Sequence, residues 1–163
     1  PREWSERPSV RRRIRCESRT PPLRPNRRSG PGSLLTDMLL DTTLFQDYRD
    51  GHPGARAVVE RIVAGEVTAS FSPFTVFKLW GSPGFDRRTE IGYLGLLRFL
   101  KEASLSTEAA KVAGIWLGSV SPEERAGMEH ITLAAATARE RGEPVCTRNA
   151  EQYSRFFPEI VDY

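Results

Sequence analysis

The chain has 163 residues, 24 of them Lys or Arg and 21 Asp or Glu, with two cysteines. That length suits one domain with a sizeable core, and Cys16 in a basic stretch with Cys146 in an apolar run argues against a disulfide framework and for the reducing cytoplasm. The formal charge of +3 is unevenly spread: residues 1–37 hold ten arginines against Glu3, Glu6, Glu17 and Asp37, which leaves 14 basic and 17 acidic residues elsewhere, so overall charge does not mark the body as a nucleic-acid binder.

Residues 1–37 are rich in Arg, Pro, Ser and Gly, lack Lys and show no sustained apolar period, which predicts a disordered tail before a domain over residues 38–163. Two readings of the tail stand: Arg11, Arg12, Arg13 and Arg15 form an RNA-binding arm, or translation begins at Met38 and the preceding residues are an upstream extension. No apolar run approaches the roughly 20 residues needed to span a bilayer, so no membrane partner is expected.

Met38, Leu39 and Leu40 read as a short buried strand that ends on Asp41, and Thr42 or Thr43 can cap the helix carrying Leu44, Phe45 and Tyr48. Asp41 then sits at a strand's carboxyl end, where open α/β sheets bind ligands and metals, although an aspartate there can equally be a helix cap. Ala57, Val58, Ile62 and Val63 make a helical stripe, Val67, Ala69 and Phe71 alternate like a strand, and Ser72 and Pro73 open a helix that stops at Gly81. A helix with Ile91, Leu94, Leu97 and Leu100 on its apolar face follows, then a strand over Ala103 to Ser106. Two more helices carry Ala109, Val112, Ala113, Trp116 and Met128, Ile131, Ala135, Ala138; Val145 and Cys146 make a strand, and IVDY a last one. Alternating strands and helices predict an α/β fold with a mostly parallel central sheet and helices on both faces.

His52 and His130 are isolated, and no HxxxH, CxxC, Gly-rich phosphate loop or nucleophile elbow occurs. Tyr93, Trp80 and Trp116 could stack on bases, but aromatics at helical spacing are more often core.

Three segments, LLDTTLF, SPFTVFKL and LAAATARERGEPVCTRNAEQY, together resemble the PIN domain and in particular the VapC-type toxins of bacterial toxin–antitoxin pairs. In that family a strand ends in Asp-Thr/Ser, a Ser-x-x-Thr-x-x-Glu-Leu helix follows, and Asp-x-x-Ile-Ala-Ala leads to Thr-Arg-Asn/Asp. The resemblance implies a cluster of carboxylates at the strand ends holding Mg²⁺ or Mn²⁺, which activates water for RNA cleavage. It also implies an antitoxin-like protein partner and a homodimer.

Carried over residue by residue, the resemblance implies that Asp41, Thr42 and Asn149 are catalytic or metal-facing, and Ser72, Thr75 and Leu79 match the middle helix. Where the family has its glutamate this chain has Lys78, and counting back from Thr147 and Gly142 puts Ile131 at the second acid. Glu129 lies two residues earlier, roughly 200° around a helix, and serves as a metal ligand only if the register shifts there. Asp47 is the other acid that could enter the cleft. An inward Lys78 would replace the metal as the counter-charge of Asp41; the competing reading is a solvated helix face. These readings leave a metal-dependent endoribonuclease or a non-catalytic PIN-fold protein that binds RNA or a partner.

Overall fold

The computed structural model describes residues 37–163. The expectations for residues 1–36, the RNA-binding arm and the upstream extension included, lie outside the described residues. The elements run β1 (Asp37–Leu40), α1 (Thr42–Asp50), α2 (Pro53–Val63), β2 (Thr68–Phe71), α3 (Pro73–Trp80), α4 (Arg87–Leu97) and β3 (Lys101–Glu102). They continue through α5 (Thr107–Ser119), α6 (Glu129–Arg141), β4 (Val145–Cys146), α7 (Ala150–Ser154) and β5 (Ile160–Val161). The five strands form one sheet in the order β3-β2-β1-β4-β5, and every pairing is parallel. The α/β class and the parallel sheet are as the alternating pattern predicts.

Parallel strands need crossovers, and burying both sheet faces under those crossovers explains why the inner strands β1, from Met38 on, and β4 are apolar, while β3 at the sheet edge is the exposed pair Lys101–Glu102. Side chains alternate across the sheet. Met38, Leu40 and Cys146 therefore join the core under α1, α2 and α4, with Leu44, Phe45, Val58 and Leu96. Leu39 and Val145 point the other way, into a second core with Val120, Ile131, Ala135, Tyr153 and Phe157 from the α5, α6 and α7 side. The alanines of α6 let it lie close against α5 and the sheet, and Gly142, at φ 67°, ends it in the left-handed conformation that a side chain would strain.

The structure departs from the sequence pattern at α4 and at β3. Half of the apolar stripe assigned to α4 turns outward, with Ile91 59% and Leu94 45% exposed, because the helix packs through Tyr93 and Leu96, while Leu97 and Leu100 do lie partly buried against the core. Tyr93 meets Phe45 edge to face with ring centroids 5.9 Å apart, and that contact sets the helix's rotation. The third strand lies at Lys101–Glu102 rather than over Ala103 to Ser106, since Ser106 is already the N-cap of α5 and accepts from the Ala109 amide at 3.0 Å. Among the described residues no helix is long and apolar enough to cross a membrane.

Candidate functional site

From β1 the chain builds outward through β2 to β3, then returns by α5 and α6 to place β4 on the other side of β1. Strand order reverses between β1 and β4, and the carboxyl ends of such neighbours flank the crevice where doubly wound sheets bind ligands. Asp41 directly follows β1, and Thr147 directly follows β4. Backbone pairing fixes the two ends together, with the Asp41 amide donating to the Cys146 carbonyl at 3.1 Å.

Asp41 is both things its position allows. It caps α1, and it is 2% exposed at the strand end. One carboxylate oxygen, Oδ1, accepts from the Tyr153 hydroxyl at 2.7 Å and from Thr42 Oγ1 at 3.3 Å. The other, Oδ2, accepts from Thr147 Oγ1 at 2.9 Å, Thr43 Oγ1 at 3.0 Å and the Thr43 amide at 3.5 Å. The loop after β4 closes over this network: the Arg148 amide donates to Thr43 Oγ1 at 3.3 Å, and the Asn149 amide to Thr147 Oγ1 at 3.0 Å. Tyr153 is fully buried, and burial first, then the Asp41 charge and their hydrogen bond, push its pKa well above the usual phenol range. The phenol therefore stays a donor.

Asn149 caps α7 with its backbone, and Thr42 is buried against Asp41, so Asp41, Thr42 and Asn149 gather at one sheet edge. Lys78 does not meet Asp41, although its charge reaches His130 beside the site. It is exposed near the end of α3 and forms no ion pair among the described residues, so neutral hydroxyls rather than an ammonium satisfy Asp41. Ile131 does not line the cleft either, being 1% exposed in the core with Leu39, Val145 and Tyr153. The residue of α6 on the site side is its neighbour His130, which is half-buried with an Nδ1 that has no hydrogen-bond partner among the described residues.

The imidazole feels both flanking charges. Burial lowers its pKa most, Asp41 raises it, Lys78 lowers it, and Glu129 and the Gly127 backbone raise it. Counting three residues back from Leu133-Ala134-Ala135, the spacing of Asp-x-x-Ile-Ala-Ala, arrives at His130, whereas counting back across the α6 to β4 loop arrives one residue late. One residue is about 100° of helix, enough to exchange a core side chain for a site side chain.

Glu129 is exposed and turns back on its own loop, accepting from the Gly127 amide at 2.9 Å. Asp47 is buried but engaged elsewhere, by Arg148 Nη1 at 2.8 Å and the Tyr163 hydroxyl at 2.9 Å. His52 stacks edge to face on Tyr163 rather than meeting His130. The aromatics considered for base stacking are structural: Tyr93 is core, Trp80 packs on it, and Trp116 stacks on Phe156. Among the described residues no three His, Cys, Asp or Glu side chains converge.

No protein-family model matches the chain, and no curated protein matches it by sequence. Solved structures do match. A toxin–antitoxin complex from Klebsiella pneumoniae superposes with a TM-score of 0.57 at 19% identity, over 76% of this chain and 95% of that one. DNA-bound VapBC from Salmonella typhimurium gives 0.57 at 21% identity, over 80% and 98%. VapBC2 from Rickettsia felis, bound to a promoter DNA fragment, gives 0.57 at 16% identity, over 78% and 98%.

The chain has the PIN fold of VapC-type toxins. In a PIN domain the β1 and β4 edge is where Mg²⁺ or Mn²⁺ would be held, and the residues of this chain do not fit such an ion. A divalent cation needs carboxylate oxygens with free lone pairs. Here both oxygens of Asp41 face protein donors, and the positions that should add negative charge carry Lys78 and His130. The sequence signal that could have exposed Tyr153 is its place four residues after Asn149, one turn along α7 and so on the inward face.

A groove of about 1100 Å³ also lies between α1, α2 and α4, at the far end of α1 from Asp41. Tyr48, Val59, Val63 and Tyr93 give it an apolar floor, and Arg56 and Asp86 stand on its walls. The Tyr93 hydroxyl is buried there without a hydrogen-bond partner among the described residues.

Proposed function

We propose that this chain is the toxin-type member of a toxin–antitoxin pair, a cytoplasmic PIN-fold protein that binds a protein partner and does not carry out metal-dependent RNA cleavage. The carrying observation is the Asp41 carboxylate, whose two oxygens are taken by Tyr153, Thr147, Thr43 and Thr42. The fold it shares with solved toxin–antitoxin complexes supports the partner. So does the α1–α2–α4 groove, whose apolar floor and mixed-charge walls suit an amphipathic peptide segment. Phe77 and Ile115, 67% and 72% exposed on α3 and α5, support self-association into a homodimer. The buried free thiol of Cys146 fits a reducing compartment.

A second reading keeps the Mg²⁺- or Mn²⁺-dependent endoribonuclease, and the observation favouring it is that Asp41, Thr42 and Asn149 stay together at the switch-point edge. The two readings separate in one assay. Labelled RNA is incubated with the protein in Mn²⁺ and in chelator, beside Asp41→Asn. The proposed function predicts no Mn²⁺-dependent cleavage; cleavage that needs Mn²⁺ and disappears in Asp41→Asn would establish the nuclease. The partner is tested by co-expressing the chain with a candidate antitoxin, whose complex Val63→Asp in the groove is expected to break.

A further inference from the structure

Asp41 is a buried acid, and a buried carboxylate must be matched by a cation or by hydrogen-bond donors. Its two oxygens offer about four lone-pair sites between them, and five donors lie within 3.5 Å. The shortest of these contacts, at 2.7 Å, comes from Tyr153. The ring of Tyr153 is packed in the core with Ile131, Val145 and Phe157, so its hydroxyl is held in place rather than free to swing aside. The phenol reaches Asp41 from α7, across the β4 end, and belongs to no acid set.

We propose that the Tyr153 hydroxyl, supported by Thr147, stands in for a metal ion on Asp41 and closes the PIN site to divalent cations. This rests on the reading that the native site takes no metal, and it deepens that reading by naming the group responsible. Lys78 and His130 deprive the site of negative charge, but they are not what occupies Asp41. Placing carboxylates at both positions therefore leaves the Asp41 carboxylate engaged, and a cation meets the hydroxyl donors of Tyr153 and Thr147 where it needs free oxygens. Removing the phenol oxygen as well frees Oδ1 apart from the longer contact from Thr42.

The test compares three proteins by calorimetric titration with MnCl₂: the native chain, Lys78→Glu/His130→Asp, and that pair combined with Tyr153→Phe. The native chain and the double variant are expected to give no saturable heat, and the triple variant to bind Mn²⁺ at least about tenfold more tightly than the double. A double variant that binds as tightly as the triple would overturn the role of Tyr153 while leaving the proposed function standing. Saturable binding to the native chain, lost in Asp41→Asn, would instead overturn the proposed function. A second measurement reads the hydroxyl of the native protein directly, with only Tyr153→Phe for comparison. Its proton spectrum should contain a slowly exchanging, downfield hydroxyl resonance that is absent in Tyr153→Phe and unchanged by MnCl₂. Absence of that resonance, or its broadening by Mn²⁺, would overturn the inference.

Discussion

Replacing Tyr153 by Phe isolates one interaction at the centre of the fold. The ring stays in the α6–α7 core, so no cavity opens, and the only loss is the hydroxyl that donates to Asp41 Oδ1 at 2.7 Å. A buried hydrogen bond to a charged group contributes about 1.5–3 kcal/mol, and the 3.3 Å contact from Thr42 compensates only weakly. A loss of about 2 kcal/mol is expected, a large share of the roughly 5–15 kcal/mol that holds a domain together. With a urea m-value on the order of 2 kcal/mol/M, the unfolding midpoint should fall by about 1 M. Tyr163→Phe is the internal control, since Asp47 keeps its bond to Arg148 when the Tyr163 hydroxyl goes, and its effect should be about half as large or less. A midpoint for Tyr153→Phe indistinguishable from the native one would refute the claim that this phenol satisfies the buried acid.

Burial lowers the His130 pKa from 6.5, so the unfolded chain takes up that proton first as pH falls. Its contribution to stability is complete above 6.5 and declines as pH drops through that value towards the lowered folded-state pKa. His130→Gln should therefore flatten the fall in melting temperature between pH 7 and 5, and parallel curves for the two proteins would contradict the placement of this ring. Burial, with Asp41 and Asp162, pushes the Cys146 thiol up to about 12, so in a Cys16→Ser background it should resist alkylation at pH 8 until the protein is unfolded; labelling at the rate of a free thiol would contradict its burial. A chain beginning at Asp37 should fold with an unchanged melting temperature, because the sheet and the clusters on both its faces are built from the described residues; a clear drop would assign a structural role to residues 1–36.

Much of the architecture is legible in short local signals. The Met38–Leu40 run, the Ser72-Pro73 start of α3, Gly142 at the end of α6 and the alternation of apolar patterns lead to the parallel sheet without any long-range information. Asp41 is legible for the same reason, as a lone acid ending an apolar strand. Helix rotation is harder. On α4 the apolar residues at 91 and 94 look like the core face, yet Tyr93 wins because a large aromatic finds Phe45 across the interface. On α6 the choice between Ile131 and His130 turns on one residue of register, and only packing against Leu39 and Val145 decides it. Lys78 sits where the spacing puts it, but spacing does not say that hydroxyls already satisfy the acid it would have paired with. The role of Tyr153 is hidden for a topological reason: it lies 112 residues from Asp41 and meets it only because β4 returns beside β1.

The most direct measurement is a crystal structure of the native chain grown in MnCl₂ and recorded at the manganese absorption edge. No anomalous peak is expected at Asp41, with the Tyr153 oxygen still within hydrogen-bonding distance of Oδ1, 2.7 Å in this structure. A manganese peak at a metal–oxygen distance of about 2.1 Å from Asp41, with the Tyr153 hydroxyl displaced, would contradict it.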